Sequence, residues 1–414
     1  WMGAHPKAPS MVTSDGNLVS LLDLIEKSPK NILGKKVAEK FDNRLPYLFK
    51  VLAAAKPLSI QAHPSTDQAK QGFERENRQG IPLDAYNRNY KDDNHKPECI
   101  CAHTLFWALN GFRKISSIVG LMEKICPQGL KKQLDTLKGQ QSPFELKNFF
   151  KTLMTMNHEQ QTKVIAHAVS NAKKFTDDDS AYKWMVDLHK EYPEDIGVFS
   201  PILLNLICLK PGQAMFLPAG ELHAYLDGVG IELMANSDNV LRGGLTPKHI
   251  DVPELLNVLN FEEREVKILE TKQINECEWI YESYAEEFIM SVIKQQKYFI
   301  SLIIVPFVIL FFLLYNNLDG NFSQLNEGTV RFSRFLPHGI LEAFFIGGNV
   351  LVFTFAAIGL IRFWKNLNTI SPPKQKRSFV GVFIATIMDI LAHKKFNTCS
   401  TNSSRFWGHL LIFY

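Results

Sequence analysis

The sequence predicts a mainly β fold, a barrel or a sandwich, that carries an inserted helical domain and is followed by an all-α transmembrane segment. Short apolar strands bounded by turn residues occupy residues 48–62 and 98–109 and return at 202–234. Between them, residues 112–192 repeat large apolar side chains at helical spacing. After residue 298 come long apolar runs of the kind that cross membranes.

Each element of the first β region has its own local signal. Residues 48–62 form two apolar runs around a turn at Lys56-Pro57. Residues 67–79 are polar and predict a helix, and residues 86–97 are an Asn- and Asp-rich loop. Residues 98–109 are apolar again, which predicts strands.

The inserted block is recognised by its apolar spacing. In three stretches, apolar side chains recur three or four residues apart, as on one face of a helix. These side chains are Leu146, Phe149, Phe150, Leu153 and Met154, then Val164, Ala168 and Val169, then Trp184, Met185 and Leu188. We therefore predict a helical domain at 112–195 within a β domain formed by 1–111 and 196–288.

The bulk composition excludes some partners. The 414 residues carry a net charge of only +4, so nothing calls for a nucleic-acid partner, which requires a concentrated basic face. Six cysteines are too few in a chain of this length for a disulfide framework. We therefore expect the first part of the chain to work in a reducing compartment, the cytoplasm.

Gln61 and His63 are the first candidate metal ligands. Side chains two residues apart on a strand point to the same face, so both can reach one ion. Histidine is a common zinc ligand, whereas a glutamine amide oxygen is an uncommon one. A single histidine at the end of a strand is more often an ordinary hydrogen-bonding residue, so this pair alone does not establish a metal site.

Glu98 is the second candidate, at the border between a polar loop and an apolar strand. Lys96 beside it is a cation that suits a phosphate or a sugar oxygen, although a solvated strand end is the alternative. Cys99, Cys101 and His103 alternate after it and share the opposite face of the strand. They cannot join Glu98 in one site, and we interpret the cysteines as small buried apolar residues.

The third candidate region follows the turn at 218–220. His223 and Tyr225 share one face of the next strand, and a polar stretch then leads to Arg242 and two glycines. Such a loop is typical of a backbone held close to a ligand, although this stretch alone favours an ordinary surface turn. An arginine here can neutralise an anionic intermediate or substrate.

Together these motifs resemble type I mannose-6-phosphate isomerase, from Trp1 to about residue 288. The segments that carry the resemblance are Trp1–Pro6, Leu58–Pro64, Asn89–Glu98 and Ala235–Lys248. The resemblance implies a cupin-type (jelly-roll) β domain with a helical insertion. Members of the family extend several tens of residues further at the carboxyl end, and usually some way before the equivalent of Trp1, so the resemblance implies a chain truncated at both ends. We therefore expect a chain that lacks barrel strands, with exposed strand edges and weak folding or activity.

The resemblance also implies a reaction and a site. The reaction interconverts mannose 6-phosphate and fructose 6-phosphate by moving a proton between C1 and C2 through an enediol. It uses one zinc ion, which polarises the sugar oxygens, and no redox cofactor. The implied zinc ligands are Gln61, His63, Glu98 and His223. The implied catalytic residues are Arg242 as the active-site arginine, with Lys96, His95 and Asp238 in the pocket.

Residues 291–414 are predicted to be a membrane segment. The run 299–315 carries no charge, and 17 residues of helix span roughly 25 Å, enough to cross a bilayer core. A second predicted span is 340–361, and 379–391 is a shorter third candidate. A pair of buried core helices is the alternative interpretation of the two longer runs. Lysines and arginines in the loop 362–378 place it in the cytoplasm. We therefore expect residues 299–361 to anchor the chain in lipid.

This segment resembles the membrane portion of citrate/tricarballylate-utilisation electron-transfer proteins, at 335–339, 389–396 and 405–414. That resemblance implies an alternative function as a fragment of a membrane electron-transfer subunit associated with haem and iron–sulfur clusters, although Cys399 alone cannot hold such a cluster. The implied haem ligands are His338, His393 and His409, although histidines that cap helices near the interface are an equal alternative. Because no shared chemistry links the two parts, we interpret the join near residue 290 as an artificial or degenerate fusion.

Overall fold

The computed structural model describes residues 2–14, 16–275 and 277–293, and further on residues 308, 339, 342–350, 353–354, 357–359 and 361. The chain divides into two compact units, Trp1–Gln295 and Gln296–Tyr414. The strands and helices named below all belong to the first unit.

The strands are β1 Met11–Ser14, β2 Asn17–Ser20, β3 Tyr47–Ala54, β4 Ile60–Ala62, β5 Glu98–Ala102, β6 Phe106–Phe112, β7 Leu204–Leu209, β8 Ala214–Leu217, β9 His223–Ala235, β10 Leu241–Gly244, β11 Ile268–Leu269, β12 Thr271–Gln273, β13 Glu278–Tyr281 and β14 Met290–Ile293. The helices are α1 Leu21–Lys27, α2 Pro29–Ile32, α3 Lys35–Lys40, α4 Thr66–Arg78, α5 Ile115–Ile125, α6 Lys131–Gly139, α7 Pro143–Thr155, α8 His158–Ala172, α9 Ser180–Glu191, α10 Ser200–Leu203 and α11 Val252–Val258.

A nine-stranded antiparallel sheet curls around the long strand β9, which joins its two halves. The first part of β9 pairs with β4 and β6, and its second part pairs with β3 and β5. Gly228 at the bend has φ +118, and a Cβ there would lie 2.4 Å from the carbonyl oxygen of Leu105. Glycine is therefore required where β9 passes from one half to the other. This architecture confirms the predicted mainly β, cupin-type domain.

The predicted helical block is present as α5 to α10, between β6 and β7. Ser142, Asn157 and Asp179 cap three of these helices with side-chain oxygens that accept backbone N–H groups. The apolar faces of the helices form one core, which continues into Ile60 and Leu222 of the β region. The helical block therefore rests on the β domain through a shared apolar core. The proposed domain limits at 111/112 and 195/196 remain a prediction.

The predicted strands at 48–62, 98–109 and 202–234 and the helix at 67–79 are confirmed. A three-stranded sheet of β12, β13 and β14 follows, in a region for which no individual strand was predicted. Its Tyr281 packs on Cys99, which has no exposed surface, and the Tyr281 hydroxyl lies 3.2 Å from Cys101 Sγ. Cys99 is thus a buried core residue, as predicted, whereas Cys101 is only partly buried and packs against the same core.

In the part of the chain that the structure describes, no helix is both long enough and apolar enough to cross a membrane. The predicted spans 299–315, apart from Val308, and 379–391 lie outside the described residues. The predicted span 340–361 is described only in part, and its described residues are helical. His338, His393 and His409 also lie outside the described residues, so the haem prediction stays untested.

Candidate metal centre

Three strands bring the candidate ligands together at one end of the sheet. His63 directly follows β4, Glu98 begins β5, and His223 begins β9. Because β9 pairs with both β4 and β5, side chains that are 160 residues apart in sequence become neighbours. Gln61 lies directly opposite His223 in the register of the sheet, and Arg242 of β10 lies opposite Gln61 on its other side.

His63, Glu98 and His223 form a buried cluster that has the dimensions of a metal site. Each side chain is only 1% exposed, and their candidate ligand atoms all lie within 4.8 Å of one another. His63 Nε2 is 3.2 Å from Glu98 Oε1, and His223 Nε2 is 3.5 Å from Glu98 Oε2. Ligand atoms at roughly 2.0–2.1 Å from a tetrahedral zinc ion are about 3.3–3.4 Å apart, which agrees with these distances.

Both imidazole rings are oriented by backbone carbonyl groups. His63 Nδ1 donates to the carbonyl oxygen of Asn239 at 2.7 Å, and His223 Nδ1 donates to that of Glu221 at 2.9 Å. With the hydrogen on Nδ1, each Nε2 presents a lone pair to the cluster, and neither Nε2 has a hydrogen-bond partner among the described residues. Buried lone pairs that face a carboxylate require a cation, so these residues fit a zinc ion.

Electrostatics favour the protonation states that bind metal. Burial and the nearby charge of Lys96 lower the pKa of His63 to about 4, so its ring is neutral at pH 7. Burial opposes ionisation of Glu98, but the positive charge of Lys96, whose Nζ lies beside the carboxylate, holds the pKa of Glu98 well below the ordinary value. A neutral histidine and an ionised glutamate are the forms in which these side chains ligate zinc.

Lys96 completes this cluster as a buried cation. Its Nζ is 3.0 Å from Glu98 Oε1. Burial would lower the pKa of Lys96, but the charges of Glu98 and Glu232 outweigh burial and raise it. Lys96 is therefore an ammonium group at the edge of the metal site, where it can donate hydrogen bonds to a ligand.

The sequence interpretation missed a second charged pair, formed by buried Glu232 and partly buried Lys50. They face each other across β3 and β9 and form an ion pair. Burial and the charge of Glu98 raise the pKa of Glu232. The Tyr225 hydroxyl donates to Glu98 Oε2 at 3.4 Å. The sequence does contain a sign of this pair, because Glu232 is a charged residue among the apolar residues of β9. Its partner could be identified only from the pairing of β3 with β9.

The remaining predicted catalytic residues occupy different surroundings. Arg242 is partly buried, which lowers its pKa, and no carboxylate of the described residues pairs with its guanidinium. His95 Nε2 contacts Glu287 at 2.5 Å, and Asp238 contacts His5 at 3.1 Å. The structure thus brings Lys96 to the metal cluster, leaves Arg242 beside Gln61, and engages His95 and Asp238 with other residues.

Fold and site together define a metal-binding enzyme of the cupin type with a helical insertion. Comparisons with known proteins agree with this class. Residues 1–115 match the phosphomannose isomerase type I catalytic domain, and residues 127–204 match the helical insertion domain of the same family.

Two individual proteins are similar to this chain over most of its first unit. The chain is 46% identical over 279 residues to the mannose-6-phosphate isomerase of Escherichia coli, which covers 67% of this chain and 70% of that protein. It is 35% identical over 287 residues to the human enzyme of the same name, covering 63% of each. The chain thus spans about two thirds of the length of these relatives. It belongs to the type I phosphomannose isomerase family.

Solved structures show the same relationship. A mutant of phosphomannose isomerase from Salmonella typhimurium superposes with a TM-score of 0.65 at 42% identity, covering 70% of this chain and 73% of the other. A zinc-bound mannose 6-phosphate isomerase gives a TM-score of 0.64 at the same identity and coverage.

Proposed function

We propose that this chain is a zinc-dependent aldose–ketose isomerase that interconverts mannose 6-phosphate and fructose 6-phosphate. The observation that carries the proposal is the buried His63–Glu98–His223 cluster, in which two Nε2 lone pairs and a carboxylate face one point. The cluster lies in a chain whose relatives are mannose-6-phosphate isomerases.

Four residues are proposed to hold the zinc ion, namely Gln61, His63, Glu98 and His223. His63, Glu98 and His223 form the buried cluster, and Gln61 is placed next to His223 by the register of β4 and β9. When bound, zinc polarises the oxygens on C1 and C2 of the opened sugar without changing its oxidation state.

The roles proposed for the other residues follow from their charge states. Lys96 has a raised pKa and is a hydrogen-bond donor to a sugar oxygen, not a proton acceptor. Arg242, with no carboxylate partner among the described residues, stabilises the negative charge that develops on the enediol oxygens. His95 and Asp238 remain the candidates to carry the proton between C1 and C2.

Zinc content and turnover in the whole chain test this function, with histidine variants as controls. We expect about one zinc per wild-type chain and turnover of mannose 6-phosphate. His223→Ala should lose both, whereas His103→Ala, at an exposed position after β5, should keep both. A folded, zinc-loaded wild-type chain without any turnover would contradict the proposal, as would full zinc binding by His223→Ala.

We also propose that the apolar runs at 299–315 and 340–361 attach the chain to lipid, with the isomerase unit on the cytoplasmic side. The support is the uncharged sequence of the first run and the basic loop at 362–378. Extraction of the membrane fraction at alkaline pH tests this: an anchored chain stays in the pellet, and complete release would contradict the anchor.

A further inference from the structure

Asn239 is a fully buried residue whose amide side chain makes four hydrogen bonds to the backbone of one loop. Its Oδ1 accepts the backbone N–H groups of Lys91 at 2.7 Å and Asp92 at 3.2 Å. Its Nδ2 donates to the carbonyl oxygens of Asp92 and Asn94, both at 2.8 Å. If the amide were rotated so that its oxygen and nitrogen exchanged places, the NH₂ group would face N–H donors and the oxygen would face carbonyl oxygens. The network therefore fixes the orientation of the amide.

The backbone of the same residue orients a proposed metal ligand. The carbonyl oxygen of Asn239 accepts the Nδ1 hydrogen of His63 at 2.7 Å, and its N–H donates to Ser237 Oγ at 3.2 Å. The position of this carbonyl determines the direction in which the His63 Nε2 lone pair points. Anything that shifts the backbone at Asn239 therefore turns the imidazole.

The loop held by the Asn239 amide leads directly to another proposed ligand. Only three residues separate Asn94 from Glu98, and the carbonyl oxygen of Pro97 accepts the N–H of Ala235 at 3.1 Å. Asp92 strengthens the connection, because its carboxylate accepts from the Ser237 hydroxyl at 2.7 Å. One side chain thus joins the segment that orients His63 to the segment that carries Glu98.

We propose that Asn239 is a positioning residue of the metal centre, which holds His63 and Glu98 in the arrangement that zinc requires before the ion binds. The inference rests on the proposed zinc site and deepens it. Preorganised ligands bind a metal more tightly because less conformational freedom is lost on binding. Outer residues that orient metal ligands typically change affinity by about 10–100-fold when they are removed.

A purely structural role for Asn239 leads to a different expectation. If the amide only stabilised the loop, its loss would lower the stability of the metal-free protein and leave the zinc affinity of folded molecules unchanged. Asn89→Ala is the matched control, because Asn89 is a buried amide in the same region that donates to Asp251 at 2.9 Å. In the described part of the chain its hydrogen bonds run to Glu76 and Asp251, and not to His63 or Glu98.

The experiment measures zinc affinity by competition with a chromogenic chelator, and the visible spectrum of the cobalt-substituted protein. For Asn239→Ala we expect zinc affinity to fall about 10–100-fold and the cobalt bands to shift, because the ligand geometry changes. For Asn89→Ala we expect wild-type affinity and an unchanged cobalt spectrum. Thermal unfolding of the metal-free proteins records any loss of stability separately.

The outcomes separate the alternatives. Wild-type zinc affinity and cobalt spectrum in folded Asn239→Ala would overturn the inference, as would an equal loss in Asn89→Ala. If Asn239→Ala does not fold, Ser237→Ala decides, since it removes the hydroxyl that joins Asn239 N–H to Asp92. It should lose affinity by a smaller factor, and unchanged affinity would overturn the inference. A folded wild-type chain that binds no zinc would instead refute the proposed function itself.

Discussion

Gly111 and Gly212 form a matched pair that tests how the metal site is supported. Both have left-handed backbone conformations, with φ +65 at Gly111 and +84 at Gly212. A Cβ built at Gly111 would lie 2.6 Å from Glu221 Oε2, whereas a Cβ at Gly212 meets nothing within 4 Å. Substitution by alanine therefore imposes a similar backbone strain at both positions, and a steric conflict at only one.

The difference in stability follows from these contacts. An alanine in the left-handed region costs about 1–2 kcal/mol at either position. At Gly111 the new methyl group must also displace the Glu221 carboxylate, which accepts from Arg264 Nη1 at 2.7 Å. A hydrogen bond to a charged group contributes about 1.5–3 kcal/mol. We therefore expect a total of about 2.5–5 kcal/mol for Gly111→Ala and about 1–2 kcal/mol for Gly212→Ala.

Displacement of Glu221 should also change the geometry of the metal site. The Glu221 carbonyl orients His223, so movement of Glu221 in Gly111→Ala turns the imidazole, and zinc affinity falls. Urea denaturation of the metal-free proteins measures the stability difference, and chelator competition measures the affinity. Equal destabilisation by the two substitutions, or unchanged zinc affinity in Gly111→Ala, would refute the reasoning.

Two further predictions concern groups outside the metal site. Burial opposes ionisation of Glu287, but the hydrogen bond between Glu287 and His95 lowers the pKa of Glu287 below the ordinary value. The ionised carboxylate therefore stabilises the fold above the unfolded pKa of about 4.3. This stabilisation is lost as pH falls through the lower folded pKa. Glu287→Gln should therefore lower the free energy of unfolding at neutral pH, with a difference that shrinks below about pH 4, and a pH-independent difference would be inconsistent with this. Burial raises the pKa of Cys99 to about 12, so an alkylating reagent at neutral pH should modify exposed Cys277 in the folded protein and Cys99 only after unfolding, as mass spectrometry can check.

Local patterns in the sequence predicted most of the secondary structure that frames the site. Alternation within strands grouped Gln61 with His63 and separated Cys99 and Cys101 from Glu98, and the structure agrees with the separation of the cysteines. Strand and helix signals of this kind depend on neighbours in the chain, which makes them readable from one sequence. The short strands β11 to β14 have two to four residues each, too few for a periodic pattern.

The assembly of the site depends on contacts that no local pattern contains. His63, Glu98 and His223 meet only because β9 pairs with both β4 and β5. The Lys50–Glu232 pair likewise needs the register of β3 and β9. Their grouping before the structure was known came from the family resemblance, since each ligand taken alone had a more ordinary interpretation.

The charged side chains around the metal cluster balance one another. Lys50 and Lys96 carry two positive charges, and Glu98 and Glu232 carry two negative charges, so the four formal charges cancel. Buried ions persist where each is paired, and this set pairs without leaving an excess to attract an anion. A bound zinc ion would add two positive charges at the point where the histidine lone pairs converge, and a sugar phosphate carries about the same negative charge. Because the protein side chains balance one another, attraction of the substrate would depend on the metal, with partly buried Arg242 as the additional cation at the rim.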